Sequence, residues 1–144
     1  MEVRRWKYKD ILPISEMERE CFPDEPWTFK MLASSFDTPA FSGVVATDGD
    51  EIIGYGGVTV AADTADIANV AVTEAYRHSG VATAILSELE NIARAGGATK
   101  LFLEVRVSNS AALSLYLKCG FRGIHARTRY YSNGEDCLVM AKEL

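Results

Sequence analysis

Two neighbouring stretches of this chain hold residue types that can do chemistry together. Val70-Ala71-Val72 leads into Arg77-His78-Ser79-Gly80-Val81-Ala82, and Leu103-Glu104-Val105-Arg106 leads into Asn109 and Tyr116. The first reads as an apolar strand running into a glycine-opened helix, and the first turn of a helix carries backbone N–H groups without partners inside the helix. Those groups, with the positive end of the helix dipole, favour a phosphate or pyrophosphate. Gly80 and Ala82 keep large side chains out of its way. The second stretch supplies a carboxylate that can take a proton and a phenol that can give one. Together they describe a site that binds a phosphorylated cofactor and moves protons beside it. Each of the three later residues also has a plainer reading. Glu104 can be a strand carboxylate paired with Arg106 or another base, Tyr116 a core aromatic on the inner face of its helix, and Asn109 a helix N-cap.

These residues depend on the elements around them, which hydrophobic periodicity outlines. Residues 2–7 read as a strand, and 10–21 as a helix with Ile11, Ile14, Met17 and Cys21 at helical spacing. Thr28 is the expected N-cap of a second helix that places Phe29, Leu32 and Phe36 on one face. Residues 41–47 and 51–61 form a hairpin through Asp48-Gly49, and 66–72 a further strand. The strongest helical pattern covers 80–95, where Val81, Ile85, Leu89 and Ile92 recur before the Gly96-Gly97 stop. A buried strand over 100–107 and a helix over 109–118, ended by Gly120, come next. Strands over 121–131 and 136–142, turned at Asn133-Gly134, close the chain. The fold class is α/β in the mixed α+β sense, a mixed sheet with helices on its faces.

Length and charge narrow the classes of function. A chain of 144 residues makes one ordinary domain, 1–144, able to bury a core without staples, and no linker, repeat or low-complexity segment divides it. Its 15 basic and 20 acidic side chains give a formal charge of −5, which argues against a nucleic-acid binder or a protein of anionic membranes. Such a charge keeps a protein soluble and also suits a basic partner. Cys21, Cys119 and Cys137 are odd in number and none sits in a C-x-x-C pair, so neither a disulfide framework nor a zinc ribbon is indicated. They read as reduced, buried small hydrophobes of a cytoplasmic protein. His78 and His125 lack metal-site spacing, and no metal is expected. Residues 1–6 have no apolar run of the signal-peptide kind, and no later segment has the length of a membrane span. The expectation is a soluble monomer or weak homodimer.

The glycines need separating. No G-x-x-x-x-G-K-S/T run is present, and Gly54, Gly56 and Gly57 lie in a strand pattern that opens no helix, which fits a bulge or close backbone approach. Gly80 differs, because Arg77 to Ala82 has the order glutamine or arginine, two residues, glycine, one residue, glycine or alanine. In this the chain resembles the GNAT family of N-acetyltransferases, whose acetyl-CoA signature has that form. Val70-Ala71-Val72, Leu103-Glu104-Val105-Arg106, Ser108-Asn109, Ala111-Ala112, Leu115-Tyr116 and Gly120-Phe121 are similar in order and spacing to its ribosomal-protein-alanine N-acetyltransferase branch. Tyr130-Tyr131, Gly134-Glu135-Asp136 and Met140-Ala141 extend the resemblance towards the C-terminus.

The resemblance implies a mostly antiparallel central sheet with helices on both faces, and transfer of acetyl from acetyl-CoA to a protein N-terminal amine, with a small-subunit ribosomal protein as acceptor. A lysine, polyamine or other small amine is the alternative acceptor, and a non-catalytic acetyl-CoA sensor the alternative of another class. By the same resemblance Val70, Ala71 and Val72 belong to a splayed strand that binds the pantetheine arm and polarises the thioester. Arg77, His78, Ser79, Gly80, Val81 and Ala82 wrap the pyrophosphate mainly through backbone, and Asn109 reaches the cofactor arm. Glu104 becomes the base and Tyr116 the acid, with Trp27, Tyr130 and Tyr131 on the acceptor side. The chain departs from the branch at Phe22-Pro23-Asp24-Glu25-Pro26-Trp27-Thr28, which carries extra residues between Pro and Trp. Asp24 and Glu25 there either attract a cationic N-terminus or form a solvated loop. Arginines common in relatives at the positions of His78 and Ser79 are also missing.

Overall fold

Strand-period and helix-period segments alternate along the chain, and in the computed structural model, which describes residues 1–144, they assemble around one seven-stranded sheet. Its strands are β1 (Glu2–Arg5), β2 (Phe41–Asp48), β3 (Glu51–Ala61), β4 (Thr64–Val72), β5 (Lys100–Arg106), β6 (Arg122–Arg127) and β7 (Cys137–Glu143). In space they run β1-β2-β3-β4-β5-β7-β6. Only the β4–β5 pair is parallel; every other pair is antiparallel. The four α-helices are α1 (Ile11–Cys21), α2 (Phe29–Phe36), α3 (Val81–Ala95) and α4 (Ser110–Lys118).

Strand alternation sorts the helices to two faces. Val44 and Ala46 of β2 point into a core with Val81, Ile85, Leu86 and Leu89 of α3 and Tyr116 of α4, whereas Val45 between them packs with Ile11 and Ile14 of α1 and Leu32 of α2. Each fully buried Ile or Leu contributes about 1.5–3 kcal/mol. On α2 only Leu32 is buried; Phe29 lies at the surface and Phe36 is half-buried beside Trp6, so the expected apolar face is narrower than its spacing suggests.

The first strand ends at Arg5, two residues early, because Asp10 draws the chain after it into a turn. The buried Asp10 carboxylate accepts from the Arg4 guanidinium at 2.9 and 3.1 Å and from the Lys7 N–H at 2.7 Å, which winds Tyr8–Asp10 into a 3-10 turn ahead of α1. The larger departure is the last hairpin. β6 stops at Arg127 rather than reaching Tyr131, because the Tyr131 ring lies under the Arg106 guanidinium at 3.9 Å and draws the chain out of the sheet.

Both readings of the β3 glycines hold. Pairing slips between Gly56–Val70 and Val58–Ile67, so β4 carries one extra residue opposite Gly57, a bulge that sharpens local twist. Close approach is seen at Gly56, where a Cβ would meet Ile85 Cγ2 at 2.7 Å and Leu89 Cδ1 at 3.0 Å. Gly56→Ala is therefore expected to destabilise the fold by about 1–3 kcal/mol in chemical denaturation, the usual cost of overpacking a filled core.

Candidate active site

The site begins where the sheet forks. β4 and β5 share three pairs, Thr64–Lys100, Ala65–Leu101 and Asp66–Phe102. Beyond them β4 stays with β3 as far as Val72, and β5 stays with β7 as far as Arg106. The edges facing each other across the fork are unpaired, and interior backbone groups need partners, so the gap suits a ligand with amides of its own. A cleft of about 650 Å³ opens there, lined by Asn69, Val70, Glu104, Asn109, Tyr116 and Trp27 among others.

On the α3 side the chain builds an anion cradle. Gly80 is the N-cap of α3 at φ 87°, in the left-handed region, and no side chain caps the helix. A Cβ at Gly80 would meet nothing within 4 Å, so glycine serves the backbone turn and leaves the space before the helix open. The first-turn N–H groups of α3 face that space, the arrangement by which helix N-termini favour anions. His78 also sits at positive φ, 62°. The Ser79 hydroxyl donates to the Tyr76 carbonyl, and Arg77 Nε donates to the Val72 carbonyl at 3.1 Å with its Nη2 3.7 Å from Cys21 Sγ. The Arg77 side chain thus braces the end of β4 and is turned away from the space before α3. Val72 and Val81 bury their side chains in the core, Ala71 packs on the α1 face and Ala82 is half-buried, so these too offer a ligand only main chain. Asn109 is the N-cap of α4, its Oδ1 accepting the Ala112 N–H at 3.1 Å, and its amide NH2 remains available at the cleft wall.

Glu104 and Tyr116 enter the cleft from opposite faces. Leu103 and Val105 point into the α3-side core, so Glu104 between them projects to the α1 side. Its Oε2 lies 3.5 Å from the Cys137 thiol and 3.8 Å from Arg127 Nε, not against Arg106, which pairs with Glu135 at 3.2 Å. Tyr130 is pushed up, first by the Glu104 charge, and burial followed by that same charge raises Asp66. Tyr116 on α4 is 9% exposed and packs edge-on against Phe121 at 5.9 Å. Burial, with the neighbouring Cys119, pushes its phenol up to about 12, so it holds its proton throughout the physiological range. The core reading of Tyr116 and its place at the cleft are both true.

Two loops form the mouth on the α1 side. One is 22–28, whose Trp27 lines the cleft; the other, 128–136, carries Tyr130 and Tyr131 with ring centroids 5.1 Å apart. Glu25 crosses between them, its Oε1 accepting the Ser132 N–H at 2.9 Å. Of the extra residues Glu25 thus reaches across the entrance, while Asp24 and Glu25 both stay exposed to solvent. Glu135 steadies the second loop by accepting the Ser108 N–H at 3.0 Å. Glu18, Tyr55, Asn69, Asp66 and Cys137 escaped the reading of the sequence. Glu18 had a legible signal, since it is a charged residue on the same helical face as Ile11 and Ile14, a position that demands partners. Cys137 had none, because only the β5–β7 register brings it beside Glu104.

Forked sheet, capless α3 terminus and carboxylate–phenol cleft define an acetyl-transferring fold. The chain belongs to the acetyltransferase (GNAT) family, whose model matches residues 11–121. It is 32% identical over 140 residues to the N-alpha-acetyltransferase RimI of Mycobacterium tuberculosis, covering 93% of this chain and 87% of that protein. It is also 32% identical over 119 residues to the ribosomal protein bS18-alanine N-acetyltransferase of Escherichia coli K12, covering 81% and 80%. The crystal structure of the ribosomal-protein-S18-alanine N-acetyltransferase from Escherichia coli matches with a TM-score of 0.89 at 28% identity, over 99% of this chain and 92% of that one.

The geometry makes two outcomes measurable. Gly80→Ala forces a left-handed alanine that costs about 1–2 kcal/mol, and its methyl enters the cradle, so binding of coenzyme A measured by calorimetry should weaken while the fold persists. The Glu25 carboxyl is held below its ordinary 4.5, chiefly by hydrogen bonding from Ser132. A depressed carboxyl keeps its contact as pH falls through the ordinary value and loses it only lower. The Ser132 amide resonance should accordingly titrate with a midpoint below 4.5; a midpoint above it contradicts the bridge.

Proposed function

We propose that the protein transfers acetyl from acetyl-CoA to the α-amine of a protein N-terminus, with the N-terminal alanine of a small-subunit ribosomal protein as acceptor. The observation that carries this reading is the cleft at the fork. It opens at a mouth between the 22–28 and 128–136 loops, has Glu104 and Tyr116 along its wall, and takes in Val70 of β4, the strand that leads on to the α3 N-terminus. Bound acetyl-CoA supplies a thioester as the activated acyl group and a thiol as its leaving group. The chain does the rest. First-turn N–H groups of α3 hold the pyrophosphate, and the fork-facing edge of β4 along Val70 to Val72, apart from the Val72 carbonyl that Arg77 occupies, pairs with the amide arm and donates to the developing oxyanion. An amine attacks only when neutral, so Glu104 takes its proton directly or through water. Tyr116, still protonated at neutral pH, gives a proton to the departing sulfur.

On the acceptor side, Trp27, Tyr130 and Tyr131 flank the entering chain, and the Glu25–Ser132 bridge roofs the slot. A flexible chain end can thread such a slot. One observation favours a second reading: Asp24, Glu25, Asp66 and Glu104 all line the cleft, which suits any cationic amine, a polyamine or lysine included. A pure acetyl-CoA sensor has no use for an acid and a base in the same cleft. No helix is long and apolar enough to cross a membrane, and we place the reaction in the cytoplasm beside its ribosomal acceptor.

The test is mass analysis of purified protein with acetyl-CoA and a panel of Ala-initial peptides, lysine-bearing N-blocked peptides and small amines. Acetyl on the α-amine is expected, and acetylation confined to small amines overturns the assignment. Glu104→Gln and Tyr116→Phe should each lower kcat by about 10²–10⁴ without loss of fold, the range for losing a positioned acid or base.

A further inference from the structure

Behind the acceptor wall lies a carboxylate that none of these steps uses. Glu18 is 0% exposed, and three donors converge on it. The Tyr55 hydroxyl donates to Oε2 at 2.5 Å, the Trp27 backbone N–H to Oε1 at 2.7 Å, and the Asn69 amide reaches both oxygens at 3.3 and 3.2 Å. No lysine, arginine or histidine forms an ion pair with it. A buried carboxylate without a cation is costly unless donors fill its lone pairs, and here every neighbour is a donor. The Trp27 N–H can do nothing else. Burial, reinforced by the Glu18 charge, keeps the Tyr55 phenol protonated.

The donors come from the segments that build the acceptor side. Trp27 belongs to the 22–28 loop, Asn69 to the bulged stretch of β4 at the fork, and Tyr55 to β3, whose Tyr55–Ala71 pairing backs that stretch. Trp27 and Asn69 both line the cleft; Glu18 does not. One hidden carboxylate thus ties together two walls of the slot, which otherwise meet only through side-chain packing. The cofactor cradle lies on the opposite face of the sheet, under α3.

We propose that Glu18 is a positioning residue for the acceptor: its carboxylate fixes the 22–28 loop against the bulged wall of β4 and so preorganises the slot before the amine enters. The proposal rests on the acetyltransferase reading of the cleft. Preorganisation of one substrate's wall shows in that substrate's binding and leaves the other's unchanged.

Two variants test it. Glu18→Gln keeps the shape and an acceptor for the Trp27 N–H, but sets an amide NH2 against the other donors. Tyr55→Phe removes one donor and leaves the carboxylate in place. Each is compared with the wild type for thermal stability, for acetyl-CoA KM, and for acceptor KM with an Ala-initial peptide and with spermidine. For Glu18→Gln we expect acceptor KM to rise about tenfold, for Tyr55→Phe about threefold, with acetyl-CoA KM and kcat each within about twofold. Glu18→Ala, which strands all the donors, should be worse than Glu18→Gln. Folded variants with unchanged acceptor KM overturn the proposal, as does an equal rise in both KM values, which signals general loosening. Wild-type turnover of spermidine alone refutes the N-terminal assignment, and the Glu18 comparison is then decided on spermidine.

Discussion

Parallel pairing between β4 and β5 ends after Asp66–Phe102, and the rest of the site is arranged around that early ending. Each strand is held from its outer side, β4 by β3 and β5 by β7, so neither can close the gap without losing an established ladder. The bulge in β4 opposite Gly57 adds twist where the strands part, and α3 can press close to β3 because Gly56 offers no side chain. Tyr116 and the core around Leu103 and Val105 support the β5 arm from one side. The fork is thus the outcome of pairing and packing on both flanks, and it leaves a strip of backbone polar groups in the interior for a ligand to satisfy.

A fork of this kind gives the two faces of the sheet different work. The α3 face carries a helix terminus with open N–H groups and a left-handed glycine, a geometry suited to a phosphate held through main chain. The α1 face carries side-chain chemistry: Glu104 with Cys137 and Arg127 beside it, and two loops joined by Glu25 and Ser132. In the proposed reaction the reactants enter from opposite faces and meet inside the gap, with Glu104 on the amine's side and Tyr116 on the thiol's side.

How much of this was legible in the sequence depends on the range of the interactions concerned. Helix caps and helical stripes are local, so Thr28, Gly80 and Asn109 were read correctly, as was the α3 stripe. The mixed, mostly antiparallel sheet and the positions of Glu104 and Tyr116 came from motif order and resemblance. Long-range contacts were not legible. Residue 25 reaching residue 132, Cys137 beside Glu104, and Tyr131 drawn out of its strand by Arg106 each depend on register between elements far apart in the chain. Glu18 stands between these cases: a carboxylate in an apolar stripe announces a buried partner without saying which.

The central claim is that cofactor and acceptor approach from opposite faces and meet at the fork between β4 and β5. The most direct measurement is a crystal structure with a bisubstrate conjugate, coenzyme A linked through an acetyl group to the α-amine of an Ala-initial peptide. The account predicts the pyrophosphate at the α3 N-terminus, the linker between Val70 and Glu104, and the peptide leaving beneath the Glu25–Ser132 bridge. A peptide emerging on the α3 face, or a linker that never enters the fork, would contradict it.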